Sequence, residues 1–465
     1  MRFHRHVPFA ALAVASLLPL PRASWGAPTT DPTGATLPFE KYSLANGLEV
    51  ILHEDHRVPQ VTVDVWYKVG SKDEQPGKTG FAHLFEHLMF QGSKHVGEDK
   101  HFAYLQKAGV SNANGSTSED RTNYFEVIPS NQLELALWLE SDRMGFLLDR
   151  TGLKETFDGQ RDVVKNERRQ RVENRPMGLV QKVTLEALYP ALYPYHHEVV
   201  GSMEDLSNAS LDDVRRFFHR WYVPNNATLV IAGDLDPART KALVEQYFGP
   251  IPAGPAISRA TLSPVPPLTK ETRIEMEAKI QQPQIMIDYL SPRSLTDGDH
   301  QMDLIAQILG GGKASRLYKR LVYQLQIAQS VSASQQSQML NSVFEISASP
   351  MPGHTTDEIL KVIDEELATL ASAPVEASEL DRAKNQIEFD MMRNLEPLIA
   401  RAERLQAYNH VLGDPGYLAT DIAGYRAVDV AAIQKAAGQY LRKNGRIIIN
   451  VTPNPQAPIM GRIKP

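Results

Sequence analysis

The sequence predicts an α+β fold built twice over. Three observations point that way. Strand-like and helix-like stretches recur in the same order in both halves. A proline-rich segment, Pro250–Thr269, separates them. Candidate metal ligands stand only in the first half. Strands joined by short turns and followed by longer helices suggest layers, with helices packed on one sheet face. The repeated unit is about 210 residues, within the size of one domain. The expected division is a signal peptide at 1–26, a flexible lead-in at 27–40, a first domain at 41–249, a linker at 250–270 and a second domain at 271–465.

The N-terminus has the layout of an export signal. Arg2, His4 and Arg5 give a positive start, and Val7–Leu20 is an apolar run too short to span a membrane comfortably. Ser24 and Gly26 place small residues at −3 and −1 of a cut after Gly26. An uncleaved anchor is the alternative. Pro28–Pro38 reads as a mobile, Pro/Thr/Gly-rich lead-in. Leu48–His53 and Val61–Val69 alternate apolar and polar residues, as half-buried strands do. Gly80–Gln91, GFAHLFEHLMFQ, reads as a helix. Phe102–Gly109 is a short helix ending in Gly, and Ser111–Asp120 reads as a turn. Thr122–Ile128 is a strand stopped by Pro129, and Gln132–Phe146 a helix.

Thr156–Asn174 is a long charged helix, with Val163 and Val164 toward a core. Its Arg168, Arg169 and Arg171 face reads as solvated. Leu211–Tyr222 and Arg239–Phe248 are helices flanking a buried strand, Thr228–Ala232. The second half repeats this outline: strands at Arg273–Glu277 and Gln284–Tyr289, then a helix around Asp303–Leu309 that holds no His. A strand at Val343–Ala348, helices at Thr356–Leu370, Ala377–Met392 and Val428–Tyr440, and a closing strand at Arg446–Val451 complete it.

Composition narrows the class. The chain has 465 residues, 42% apolar and 22% charged, as in ordinary soluble globular proteins. A net charge of −6 argues against a nucleic-acid partner. After the first thirty residues no run is apolar for long enough to span a membrane. Cysteine is absent, so metal ligands must be His and carboxylates, and export to an oxidising compartment is harmless. With the signal, this points to a bacterial periplasm, or to secretion beyond it.

The chemistry centres on His83, Glu86 and His87, spaced His-x-x-Glu-His. On a helix, His83 and His87 stack one turn apart with Glu86 beside them. Two such imidazoles can close on one Zn²⁺ at about 2.0–2.1 Å each. The order is the inverse of the His-Glu-x-x-His helix and is that of the inverzincins. An amphipathic helix with two ordinary histidines is the plain alternative, so a third ligand is needed.

The chain around this motif resembles the M16 family, the pitrilysin and mitochondrial processing peptidase group, over nearly everything after the lead-in. The resemblance implies two similar domains, each a mainly antiparallel sheet with helices against it. It also implies a third zinc ligand, a glutamate further along in a helix. Glu167, in VVKNERRQR and 80 residues after His87, occupies that place. Alone it reads as a surface glutamate paired to Arg171 at i+4. One Zn²⁺ per chain would then be held by His83, His87 and Glu167, with one position open for water. Glu86 would be the general base of peptide-bond hydrolysis. Where the family often has a second glutamate, seven residues before the ligand, this chain has Gln160, which can hydrogen-bond but carries no charge. The stretch Asn114–Tyr124 resembles the family's segment leading into an edge strand that pairs with the substrate backbone, with Asn114 as a substrate contact. An Asx-turn role is the alternative for Asn114.

The second half departs from the family. Leu309–Tyr318 matches its Gly-rich turn, and Arg316 and Tyr318 belong to that turn. The Arg and Tyr that follow in fully active members are here Val322 and Gln329. Arg320 and Tyr323 lie nearby but out of register. The resemblance therefore implies a zinc endopeptidase acting on peptides or unfolded polypeptides. It would be the metal-bearing subunit of a heterodimer whose homologous partner supplies the Arg/Tyr pair. A self-sufficient homodimer and a non-catalytic assembly subunit are the alternatives.

Overall fold

The computed structural model describes residues 35–259, 262 and 265–464. The expected signal peptide and the first part of the expected lead-in lie outside the described residues. Twelve strands run in chain order among the described residues. The first half holds β1 (Glu40–Ser43), β2 (Glu49–Glu54), β3 (Gln60–Tyr67), β4 (Asn112–Thr117), β5 (Thr122–Pro129) and β6 (Ala227–Gly233). The second half holds β7 (Thr272–Ala278), β8 (Gln284–Ser291), β9 (Ala328–Gln336), β10 (Ser342–Pro350), β11 (Ile447–Pro453) and β12 (Arg462–Ile463). They form two sheets, ordered β1-β2-β6-β3-β5-β4 and β12-β7-β11-β8-β10-β9.

The duplication expected from sequence is visible in these orders. Each sheet has one parallel contact, β2 with β6 or β11 with β7, and is otherwise antiparallel. The sixth place is filled from opposite ends of the described chain, by β1 in one sheet and β12 in the other.

Each unit's own helices pack on one face of its sheet, as expected. Val61, Val63 and Val65 of β3 join the first core, and Ile285 and Ile287 of β8 the second. The intervening residues point the other way, because strand side chains alternate. Those opposite faces are closed by exchanged helices. Ile51, Val230 and Ala232 meet Ala402 and Leu405 of helix Leu398–Leu412, from the second half. Met286, Ile447 and Ile449 meet Val183 and Leu188 of helix Val180–Leu188, from the first. The Gln406 amide reaches through to the sheet and donates to Asp64 O and Thr228 O, at 2.9 Å each.

This exchange yields a stability prediction. Leu405 is fully buried, so Leu405→Ala should cost about 2–5 kcal/mol. Trp66, Trp138 and Trp221 all lie in the first half. Urea denaturation followed by tryptophan fluorescence should therefore shift to a lower midpoint, although Leu405 belongs to the second half. An unchanged midpoint would mean the exchanged helix does not stabilise the first sheet.

Several expectations need correction. Ser111–Asp120 is not all turn, because Asn112–Thr117 is the edge strand β4, and Thr122–Pro129 is interior. Pairing with β5 overrides the poor strand propensity of Asn, Gly and Ser. The helix expected around Asp303–Leu309 begins at Asp299 and does contain a histidine, His300, which pairs with Asp421 at 2.8 Å. Val163 is 45% exposed, and Val164 alone of that pair is in the core. Arg168 is buried rather than solvated, donating to Gly201 O at 2.9 Å and to Glu173 at 2.7 Å. The lead-in is tied down at its end: Ala35 is buried, and Leu37 and Phe39 pack against helices of the second half.

Candidate active site

Helix Phe81–Leu88 begins at Gly80, whose φ of 88° is left-handed. A side chain there would meet Val200 O at 2.7 Å, so glycine is required twice over. The buried Glu74 carboxylate caps the helix, accepting the Gly80 and Ala82 N–H groups at 2.9 and 2.8 Å. Leu84, Phe85 and Leu88 anchor the helix in the first core. His83, Glu86 and His87 remain on the face toward helix Leu153–Arg168, which carries Glu167. Beyond Arg168 that helix loosens into a π turn, Arg169–Glu173, a distortion frequent at functional sites.

The two helices bring the three candidate ligands together. Glu167 Oε2 lies 3.1 Å from His87 Nε2 and 3.7 Å from His83 Nε2. Among the described residues, His83, His87 and Glu167 form the one group of three whose ligand atoms all lie within 4.8 Å of one another. Tetrahedral zinc with bonds of about 2.0–2.1 Å puts its ligands about 3.3 Å apart. The donor set and its spacing therefore fit the ion. Both readings of Glu167 hold at once, since its other oxygen, Oε1, accepts from Arg171 at 2.7 Å.

Electrostatics favour the ligating forms. Burial lowers His83 to about 4, against an opposing pull from Glu167, so its imidazole is neutral with a lone pair free. The hydrogen bond from His87 holds Glu167 below the usual carboxylate range. Burial raises Glu86. His83 Nδ1 is buried and meets no hydrogen-bond acceptor among the described residues.

The site opens into a cleft of about 850 Å³, lined by His83, Glu86, Gly115, Thr117, Arg171 and Arg175 among others. Its wall is the edge strand β4. Gly115 lets that strand close on the helix, for an added Cβ would sit 3.1 Å from Glu86 Cγ. Asn114 is exposed on β4, and its Oδ1 accepts the Gly115 N–H at 2.9 Å. Gln160 lies on the same helix as Glu167, and among the described residues no hydrogen bond joins it to the other candidates. Sequence reasoning missed Thr117, whose hydroxyl donates to Glu86 Oε2 at 2.7 Å. The signal was the register of β4, which a turn assignment hides.

In the second half, Val322 packs against the core and Gln329 is exposed on β9. Arg320 is committed to Glu366 at 2.7 Å and to Glu365. Arg316 is paired with Glu379 at 2.6 Å, and Tyr323 is 77% exposed.

Comparison with known proteins follows the same division. Residues 49–198 match the family profile described as insulinase, peptidase family M16, and residues 208–387 that of the peptidase M16 inactive domain. The zinc protease PqqE of Helicobacter pylori is 30% identical over 368 residues, 77% of this chain and 80% of that one. The chain belongs to the M16 peptidase family. The zinc protease YmxG of Bacillus subtilis, itself uncharacterized, is 23% identical over 86% of this chain and 95% of its own length. A solved protease from Helicobacter pylori superposes with a TM-score of 0.82 at 27% identity, over 89% of this chain and 99% of that one. Pitrilysin shares the fold, with a TM-score of 0.78 at 18% identity over 95% of this chain and 48% of its own. All four candidate residues of the metal site fall in the first M16 profile, and Val322 and Gln329 fall in the second. No helix of the described residues is long and apolar enough to cross a membrane.

Proposed function

We propose that this M16 chain is a zinc-dependent endopeptidase with one metal per chain. The observation that carries this is the convergence of His83, His87 and Glu167, with Glu86 on the same helix, in a cleft walled by an edge strand. Zinc held by these three side chains would supply Lewis-acid polarisation of the peptide carbonyl and would lower the pKa of a water at its open position to about 7. Glu86 takes the proton from the attacking water and passes it to the leaving amine, so no covalent intermediate is needed. The outward backbone of β4 pairs with an extended peptide or unfolded chain, and Asn114 contacts its backbone.

The two sheets and the proline-rich segment support domains at 41–249 and 271–465, joined by 250–270. The first, ligand-bearing domain performs the chemistry. A signal peptide at 1–26 directs the chain to the periplasm. A matching solved protein, PqqL of Escherichia coli, is described as a periplasmic protease. A homologous partner chain supplies the Arg and Tyr that Val322 and Gln329 replace, because Arg320 and Arg316 are already bound to carboxylates.

The test is metal analysis. The purified chain should hold about one zinc, and His83→Ala, His87→Ala and Glu167→Ala should each lose most of it, because a three-ligand site tolerates no loss. Chelation should abolish hydrolysis of denatured protein, and added zinc restore it. Full zinc in all three variants would sink the assignment.

A further inference from the structure

We propose that the metal-free second unit positions Glu86 through the β4–β5 hairpin, with Thr117 as the residue that touches it. This rests on the reading of Glu86 as the base. Thr117 ends β4, opposite Thr122, and its hydroxyl holds Glu86 Oε2 at 2.7 Å. Oε1 is left as the oxygen available for the proton.

The turn beyond Thr117 is clasped by the other unit. Asp120 Oδ2 accepts the Met339 N–H of the second unit at 3.0 Å, and Oδ1 accepts the hydroxyl of Tyr195, a residue of the first unit that bridges the two, at 2.6 Å. The same hydroxyl oxygen accepts the Leu340 N–H at 3.0 Å. Gln338, Met339 and Leu340 form the turn between β9 and β10, the counterpart in the second sheet of the β4–β5 turn. The two equivalent hairpins thus meet tip to tip. On the near side, Lys72 Nζ donates to Asp120 O at 2.7 Å, and His410, from the exchanged helix, stands 3.2 Å from the same carbonyl. Arg121 ties the strand back, donating to Ser116 O at 2.8 Å and to Asn123 Oδ1 at 3.0 Å. Thr117 cannot swing away from Glu86 without disturbing this clasp. The unit without metal ligands therefore acts inside the same chain as a buttress for the base.

The test uses the full mature chain and four variants: Thr117→Val, Thr117→Ser, Tyr195→Phe and Asp120→Ala. Zinc content, kcat and KM on a fluorogenic casein peptide, and amide hydrogen exchange over 112–121 are measured for each. Val keeps the shape of Thr and deletes the donor to a charged acceptor, so kcat should fall about tenfold to a hundredfold with KM and zinc unchanged. Thr117→Ser should recover most of it. Tyr195→Phe and Asp120→Ala should speed exchange across 112–121 and lower kcat. If Asp120→Ala does not fold, Tyr195→Phe decides, since it removes one hydroxyl only. Full kcat in Thr117→Val, or a Ser variant as slow as the Val variant, would overturn the role of Thr117. Unchanged exchange and kcat in Tyr195→Phe would overturn the clasp. Should the unsubstituted chain bind zinc yet cleave nothing even when mixed with a homologous M16 chain that carries the Arg and Tyr, the peptidase reading fails instead, and hydrogen exchange alone then judges the clasp.

Discussion

Glu86→Gln should leave a folded, zinc-loaded chain that has lost nearly all turnover. The amide matches the carboxylate in size and still accepts the Thr117 hydroxyl through its oxygen, so the helix and cleft survive. What it cannot do is take a proton from water. Positioned general acid–base groups contribute about 10²–10⁴ in rate, and here one group serves both proton transfers, so the loss should lie toward the upper end. The zinc ligands His83, His87 and Glu167 are untouched, which separates this variant from the ligand variants: metal analysis should read full occupancy while hydrolysis collapses. Near wild-type hydrolysis by a zinc-loaded Glu86→Gln chain would show that the base lies elsewhere.

Much of this site was legible in the sequence, because the metal ligands are set by local spacing. His83 and His87 are one helical turn apart whatever surrounds them. Glu167 needed more, since its distance from the motif carries no geometry; it was reached through resemblance, and the packing of two helices then brought it to 3.1 Å from His87. The duplicated order of strands was equally readable, because each strand's apolar pattern is local. What escaped was non-local. Helices Val180–Leu188 and Leu398–Leu412 close the sheet of the opposite unit, and no local pattern says which sheet a helix will cover. Asn112–Thr117 is a strand only because β5 pairs with it, and Arg168 is buried only because Gly201 O comes to meet it. Thr117 fell in the same blind spot, being defined by the register of a strand the composition had disguised.

The second large effect should come from adding a partner. The isolated chain should be folded and zinc-loaded yet a poor peptidase, and mixing it with a homologous M16 chain that carries the Arg and Tyr should raise turnover by about 10²–10³ for each donor supplied. The reason is an uneven inventory. Metal ligands, base and edge strand are all present in the first half, but Val322 has no polar side-chain atom and packs against the second core, while Gln329 is exposed on β9. The nearby cations cannot substitute cheaply. Freeing Arg320 means breaking its pairs with both Glu365 and Glu366, and Arg316 holds Glu379 through both its Nε and Nη2 atoms. A donor brought by another chain meets no such cost. Its bonds to the peptide carbonyl would tighten as charge develops there, so they should appear in kcat rather than in zinc content or fold. Mutating the partner's Arg or Tyr should reverse the gain, whereas Arg320→Ala in this chain should leave the mixture's turnover intact. A self-sufficient homodimer predicts the opposite pattern: the isolated chain would turn over as fast as the mixture, and Arg320→Ala or Tyr323→Phe would slow it.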